Sequence, residues 1–271
     1  ISNSYLLIMA NKKINKSLKI VCLGGGIGTS VLINGFKKYS PHITVITSMA
    51  DDGGSSGRLR KAYNIMPVGD MVSCIAALIN DENKELSSLL TYRFPGLSRE
   101  NKAIDGHKLG DILPASDVRV HLSAITKDGR HIHGETALDV AKYSEPYGLK
   151  KIYITPKSPR VNKKVIENLL SADVIISGPG DLYTNQLPVL IIPEIKNILL
   201  KKKCKKIFVL NIANKPFETK DFALNDFIIP LTEHLGSFPF DTIIANNNTS
   251  IQIPPIYHDS DKLANAVVEN I

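Results

Sequence analysis

Leu18-Lys19-Ile20-Val21-Cys22-Leu23-Gly24-Gly25-Gly26-Ile27-Gly28-Thr29-Ser30 reads as a buried strand that stops at a run of glycines. Val31, Leu32, Gly35 and Phe36 then begin an amphipathic helix, which ends near Tyr39-Ser40-Pro41. Ile43, Val45 and Ile46, β-branched and apolar, make a second strand. Strand, glycine turn, helix and strand in this order form the first βαβ unit of a doubly wound sheet. The chain is therefore predicted to be α/β, with a mostly parallel Rossmann-like sheet. The amides of the turn and the helix N-terminus offer an anion site without any charged side chain. Val31 stands where a strict G-x-G-x-x-G pattern has its third glycine, so this turn alone is a weak sign of a nucleotide.

The second strand runs into Ala50-Asp51-Asp52-Gly53-Gly54-Ser55-Ser56-Gly57-Arg58-Leu59-Arg60. Read as a loop, this block has no purpose in a core. Its glycines permit close backbone approach to a ligand. Its serines and aspartates offer hydrogen-bonding groups, and Arg58 and Arg60 offer planar forks suited to phosphate. An acidic residue after the second strand can hold ribose hydroxyls. Consecutive strand positions face opposite ways, but the glycines that follow Asp51 and Asp52 release the chain into a turn, so that both can reach the crevice.

Further along, Pro67-Val68-Gly69-Asp70 opens a helix through Val72 and Ile79, and Asp70 either serves the helix N-terminus or faces the site. Glu85 to Phe94 is a second helix; Arg93 near its end is a phosphate candidate. Leu97 to Gly110 is polar and aperiodic, reads as a mobile loop, and carries His107. Val118–Ile125 and Arg130–His133 flank Lys127-Asp128-Gly129, a hairpin signal. The hairpin histidines His121, His131 and His133 read as solvated or paired across strands. Lys151–Thr155 is a strand, and Val161 to Leu170 a helix. Ala172–Ser177 is a core strand that ends in the third glycine turn, Gly178-Pro179-Gly180-Asp181-Leu182-Tyr183-Thr184-Asn185. A helix over Pro188–Leu200, a strand over Lys206–Asn211, a polar loop from Asn211 to Thr219, a last strand over Asp241–Ala245 and a helix capped by Asp259-Ser260-Asp261 complete the chain. Residues 1–17 form an N-terminal extension, with Met9 a natural start, and residues 18–271 form one domain.

The 271 residues allow one large domain. No apolar run reaches the ~18 residues of a membrane span. The net charge of +7 and the pI of about 9.1 suit anionic partners. The lysines fall in two clusters, Asn11–Lys19 and Lys201–Lys206, rather than along one groove, and no aromatic residues interleave them, so nucleic acid is not expected as a partner. Cys22, Cys74 and Cys204 lack CxxC spacing, which argues against a zinc site or disulfide framework and fits a reducing cytoplasm.

Taken together, these blocks resemble the 2-phospho-L-lactate transferase-like (CofD-like) proteins, and within them the YvcK-like gluconeogenesis factors. The resemblance runs from Ile20 to about Lys262. It rests on Gly24–Gly28, Ala50–Arg60, Pro67–Asp70, Tyr92-Arg93-Phe94, Gly106–Gly110, Leu113-Pro114-Ala115, Asp128-Gly129 with Gly134-Glu135, Gly178–Thr184, Asn211–Thr219 and His258-Asp259 with Lys262-Leu263-Ala264. It implies a nucleotide site at the strand ends. YvcK-like proteins bind UDP-sugars, influence cell shape and envelope synthesis on gluconeogenic carbon sources, and have no established reaction. The transferase branch joins a guanylated 2-phospholactate to a deazaflavin with magnesium. This chain departs from the pattern at Ile27 (usually threonine), Lys215 (usually glutamine), Phe217 (usually glycine) and Tyr257 (usually an arginine implicated in UDP-sugar binding). Stretches usual in the family are absent after Gly110 and after about Asn248.

Three functions are weighed. In the first, a nucleotide-sugar-binding regulator that needs no cofactor, Gly24, Gly25, Gly26, Gly28 and Thr29, and Gly178, Pro179 and Gly180, offer backbone amides to the diphosphate. Asp51 or Asp52, with Gly53, Gly54, Ser55 and Ser56, meets hydroxyls, and Arg58 or Arg93 meets phosphate. Asp70, His107, Tyr183, Thr184, Asn185 and Asn211 complete the candidate set. In the second, a transferase, Asp51 and Asp52 hold magnesium through oxygen and His107 positions an acceptor. The third, a nucleic-acid module, rests on pI alone. A cytoplasmic protein without membrane insertion, able to form homo-oligomers, is expected.

Overall fold

The computed structural model describes residues 17–40, 42–64, 67, 69–79, 85, 88–89, 120–139, 148–216, 218–246 and 258–271. Arg93, His107, the 97–110 loop and most of the helix expected over 85–94 lie outside the described residues. In chain order the elements are β1 (Ile20–Gly24), α1 (Gly26–Phe36), β2 (Ile43–Thr47), α2 (Gly54–Tyr63), α3 (Gly69–Leu78), β3 (His121–Thr126), β4 (His131–His133), α4 (Glu135–Asp139) and β5 (Leu149–Thr155). There follow α5 (Lys163–Ser171), β6 (Val174–Ser177), a π-helical turn (Leu182–Gln186), α6 (Leu187–Leu190), α7 (Pro193–Lys201), β7 (Lys205–Val209), α8 (Leu224–Leu235), β8 (Thr242–Ile244) and α9 (Ser260–Glu269).

The strands that the sequence marks as uninterrupted apolar runs pair in parallel. β1 lies between β2 and β6, with Ile20 opposite both Ile43 and Val174, and the sheet order is β2-β1-β6-β7-β8. Such strands are buried on both faces because helices cover both. On one face Ile20, Cys22, Ile176 and Val209 pack against Leu32, Phe36 and Val267 of α1 and α9. On the other, Val21, Leu23, Ile175 and Phe208 pack against Leu187, Leu199, Leu231 and the inner face of a second sheet. This is the expected doubly wound α/β architecture. The chain leaves β1 toward β2 and returns on β1's other side at β6, so the strand order reverses between β1 and β6, where open α/β sheets bind their ligands.

The second sheet is larger than the expected hairpin. β5 joins it, and three antiparallel strands run in the order β4-β3-β5, with Leu122 opposite Ile154. The reason is visible in β5, where Leu149, Ile152 and Ile154 are buried and Lys150 and Lys151 are exposed. A strand with one wet face suits an antiparallel sheet, not the middle of a parallel one. The hairpin histidines pair across strands: His133 Nδ1 lies 3.0 Å from Ser123 Oγ, and His131 Nδ1 3.5 Å from the Tyr153 hydroxyl.

Three further elements differ from expectation. The block after β2 is not a loop beyond Gly53 but the first turns of α2, with Gly57 N donating to Gly53 O at 2.7 Å. Gly, Ser and Arg there carry no apolar period, and the helix is held by burying Leu59 and Arg60. The helix expected over Pro188–Leu200 begins earlier and is broken, since Pro193 forces Ile192 into extended backbone between α6 and α7. α8 has no counterpart among the elements expected from the sequence; Pro230 lies inside it, and its buried face of Phe227, Leu231 and Leu235 outweighs the missing hydrogen bond. The final helix is capped as expected, with Asp259 Oδ1 accepting from the amides of Asp261 and Lys262 at 3.1 and 2.9 Å. No helix among the described residues is long and apolar enough to cross a membrane.

Candidate functional site

At the point of reversal the glycine turns after β1 and β6 touch. A Cβ on Gly28 would lie 2.6 Å from the Pro179 carbonyl oxygen, so the first turn of α1 is pressed onto the turn after β6. The Thr29 hydroxyl lies within 3.2 Å of Gly25 O and 3.3 Å of Pro179 O, and it buttresses the junction from inside. Gly178 has φ +89, and a Cβ there would lie 2.2 Å from Val209 O, so no side chain is accommodated. Asn185 lies between the turns, its Oδ1 3.1 Å from the Cβ position of Gly25 and 3.4 Å from that of Gly26. Asp70 also reaches this junction, with Oδ2 2.4 Å from where a Gly25 Cβ would be.

The aspartate pair after β2 diverges. Asp51 Oδ1 accepts from the Gly53 amide at 2.9 Å, and the Ser56 side chain bonds the same carboxylate. Burial, more than the nearby Asp52 charge, raises its pKa, while the Ser56 and Gly53 hydrogen bonds and Arg60 oppose the rise. Asp52 Oδ1 accepts from the Thr136 amide at 2.7 Å and the Thr136 hydroxyl at 2.8 Å, which ties β2 to α4. Arg60 is no phosphate fork. Its side chain is buried, and it donates to Asp51 O at 2.6 Å and Val120 O at 2.9 Å. Arg58 lies exposed on α2.

Beside this pair stands a group of charges that the sequence reading did not assemble. Lys215, in the loop after β7, contacts Asp139 of α4, Asp181 Oδ2 at 2.5 Å and Glu218 Oε1 at 3.5 Å. Asp181 Oδ1 also accepts from Asn211 Nδ2 at 2.7 Å, which places Asn211 behind the cluster. Glu218 is 3% exposed and accepts from the Tyr183 amide at 3.0 Å and the Thr184 hydroxyl at 2.8 Å. Tyr183 and Thr184 are therefore committed: the tyrosine ring is in the core, and the threonine serves Glu218. Burial works against the Lys215 charge, but Glu218 and Asp181 hold its pKa above the ordinary lysine value. Glu135 is pushed up to about 9 by burial and then by Asp51, Asp139 and Asp52, with only Lys215 opposing. Burial and Asp181 raise Glu218 as well.

Among the described residues, Asp139, Asp181 and Glu218 bring carboxylate oxygens within 4.8 Å of one another, a separation that could hold a metal ion. Asp51 and Asp52 do not belong to that group. A cavity of about 380 Å³ lies elsewhere, against β2, lined by Ile46, Met71, Ile75, Val165 and Ile192. Its walls are chiefly apolar, with Arg160 and Lys164 among them, and neither the glycine turns nor Lys215 line it.

The chain matches the family described as 2-phospho-L-lactate transferase CofD over residues 20–111 and 109–270. The chain belongs to that family. The two matched blocks of the CofD family meet where the sequence lacks a stretch after Gly110. Curated relatives carry the name "Putative gluconeogenesis factor". One, from Clostridium acetobutylicum, is 35% identical over 90% of this chain and 59% of its own length. One from Streptococcus pyogenes is 31% identical over 94% of this chain and 85% of its own, and one from Nostoc is 33% identical over 90% and 58%. The chain thus spans less than two thirds of the Clostridium and Nostoc proteins. A crystal structure of a UPF0052 family member from Bacillus halodurans superposes with a TM-score of 0.77 at 30% identity, covering 86% of this chain and 82% of that one. Within the CofD family, then, the chain is of the gluconeogenesis-factor, YvcK-like kind.

Proposed function

We propose that this protein is a cytoplasmic nucleotide-sugar-binding regulator that takes a UDP-sugar without a cofactor and acts on carbon metabolism, cell shape and envelope synthesis. The observation that supports the reading most is the contact of two glycine turns at the point where the strand order reverses. Their amides, with the N-termini of α1 and α2, can face a diphosphate from two sides. Both aspartates already accept hydrogen bonds, but those of Asp51 come from its own loop, Gly53 and Ser56, whereas Asp52 is tied to α4 through Thr136, so Asp51 is the better partner for ligand hydroxyls. In a second reading the protein transfers a phospholactyl group to a deazaflavin and needs magnesium. It has less support, since Asp51 and Asp52 serve other partners and the nearest metal-like group already holds an ammonium.

A thermal-shift panel of UDP-sugars, GDP and a deazaflavin, with and without magnesium, tests both. A ligand at ~100 times its Kd stabilises by ~2.7 kcal/mol, several degrees in a domain of this size at ~2–4 °C per kcal/mol. A shift with a UDP-sugar alone supports the binder. A shift that requires GDP or deazaflavin together with magnesium supports the transferase instead.

A further inference from the structure

We propose that the Lys215 ammonium is a built-in replacement for a divalent cation: it fills the space among Asp139, Asp181 and Glu218, and its removal turns these carboxylates into a metal site. The inference deepens the proposed function, because it makes ligand binding in the crevice independent of metal.

The three carboxylates come from separate elements: α4, the turn after β6 and the loop after β7. Their oxygens converge within 4.8 Å. A hard divalent cation sits about 2.0–2.6 Å from its oxygen ligands, so ligands on opposite sides of it are about 4–5 Å apart. The spacing is that of a cation's shell, and a cation is present in it. The ammonium makes ion pairs with all three carboxylates, and the Glu218 side chain is fully buried beneath it. Burying Glu218 fully, with Asp139 and Asp181 partly buried beside it, is costly unless charge balances charge. One ammonium balances only part of it, and burial with the neighbouring carboxylates raises the Glu135 pKa to about 9. A divalent ion would balance more, but the lysine stem occupies its place.

The exchange has a chemical consequence. An ammonium is a point charge with three donors and no coordination sites to exchange. It can neutralise Asp181, which immediately follows the Gly178–Gly180 turn, but it cannot bridge phosphate oxygens as a metal does. A diphosphate in this crevice would therefore meet amides and a fixed charge, with no need for magnesium.

The test uses the full chain and manganese(II) alone as probe, followed by electron paramagnetic resonance of the free ion. Lys215→Gln protein should bind one ion per chain saturably and should melt several degrees higher with manganese. The parent should show no such ion, and Lys215→Gln/Asp181→Asn should bind at least about tenfold more weakly than Lys215→Gln. Folded Lys215→Gln protein that takes up no manganese overturns the proposal. So does a parent that binds one ion in a manner abolished by Asp181→Asn. Lys215→Gln protein that refolds only with manganese supports it. Should it refold under neither condition, Lys215→Ser, which opens the same space and keeps all three carboxylates, takes its place: one ion per chain supports the proposal and none overturns it. In a separate arm, EDTA should leave the parent's affinity for a UDP-sugar unchanged and weaken that of Lys215→Gln about tenfold or more. The manganese arm contains no nucleotide, so its failure counts against this inference alone. A parent that binds no UDP-sugar counts against the proposed function alone.

Discussion

The turns after β1 and β6 present glycine and asparagine to the crevice and no lysine or arginine. The wall made by α4 and the loop after β7 presents Glu135, Asp139, Lys215 and Glu218, with Asp181 at the seam. Both walls can meet a charged ligand, but by different means. The neutral wall works through backbone amides, and its shape is set by where side chains cannot fit. The charged wall works through side chains, and its shape is set by pairing among groups that are costly to bury singly. Damage to the first should act through sterics and damage to the second through electrostatics.

The charged wall should break hardest. In EDTA, Lys215→Met leaves three carboxylates without their cation, and chemical denaturation at pH 7 should show a loss of about 3–5 kcal/mol. The loss should shrink on acidification, as the stranded carboxylates take up protons. A loss below about 1 kcal/mol would mean that the ion pairs are incidental.

The neutral wall follows. Gly178→Ala places a Cβ 2.2 Å from Val209 O at φ +89, and should cost on the order of 3 kcal/mol in urea unfolding, from backbone strain and overpacking together. Unlike the lysine change, this loss should be the same at pH 5 and pH 8, which makes the pH dependence the discriminating measurement.

Asp51 and Asp52 sharpen the comparison, because the structure gives adjacent residues of one type different work. Asp51→Ala should weaken UDP-sugar binding by roughly 1.5–3 kcal/mol, about tenfold to a hundredfold in Kd by calorimetry. Asp52→Ala should instead lower stability by about 1–3 kcal/mol, since the Thr136 amide and hydroxyl lose their acceptor. Equal effects of the two on binding would remove the distinction.

The smallest effect concerns Glu135. Its pKa rises from 4.5 to about 9 on folding, so between those values the folded state holds a proton that the unfolded state has lost. The contribution to stability is full below about pH 4.5 and is lost as pH rises toward 9, with a slope of at most ~1.4 kcal/mol per pH unit. Between pH 6 and pH 7 the parent should therefore lose about 1 kcal/mol that Glu135→Gln retains. Parallel stability curves for the two proteins would show that Glu135 is ionised in the fold.

Much of the fold is legible without coordinates where local signals agree with the global arrangement. The apolar runs at Ile20–Leu23 and Val174–Ser177 mark strands covered on both faces, and the glycines after each mark the crevice. Asp259 announces its helix because a cap is a contact between near neighbours. Where the local signal misleads, packing has overruled it: Pro230 stays inside α8 because the apolar face of that helix is buried, and the Gly-Ser block after β2 becomes helix because Leu59 and Arg60 are buried.

The sequence by itself determined the doubly wound sheet and the two glycine turns, since each depends on periodicity or on residues adjacent in the chain. Only the tertiary structure decided that β5 completes a second sheet, that the two aspartates part company, and that Lys215 meets Asp139 and Asp181. Lys215 lies 76 residues from the first and 34 from the second. No periodicity links such distant charges. They are brought together because, once the two sheets dock around the crevice, an ammonium and carboxylates that must be buried are least costly when buried side by side.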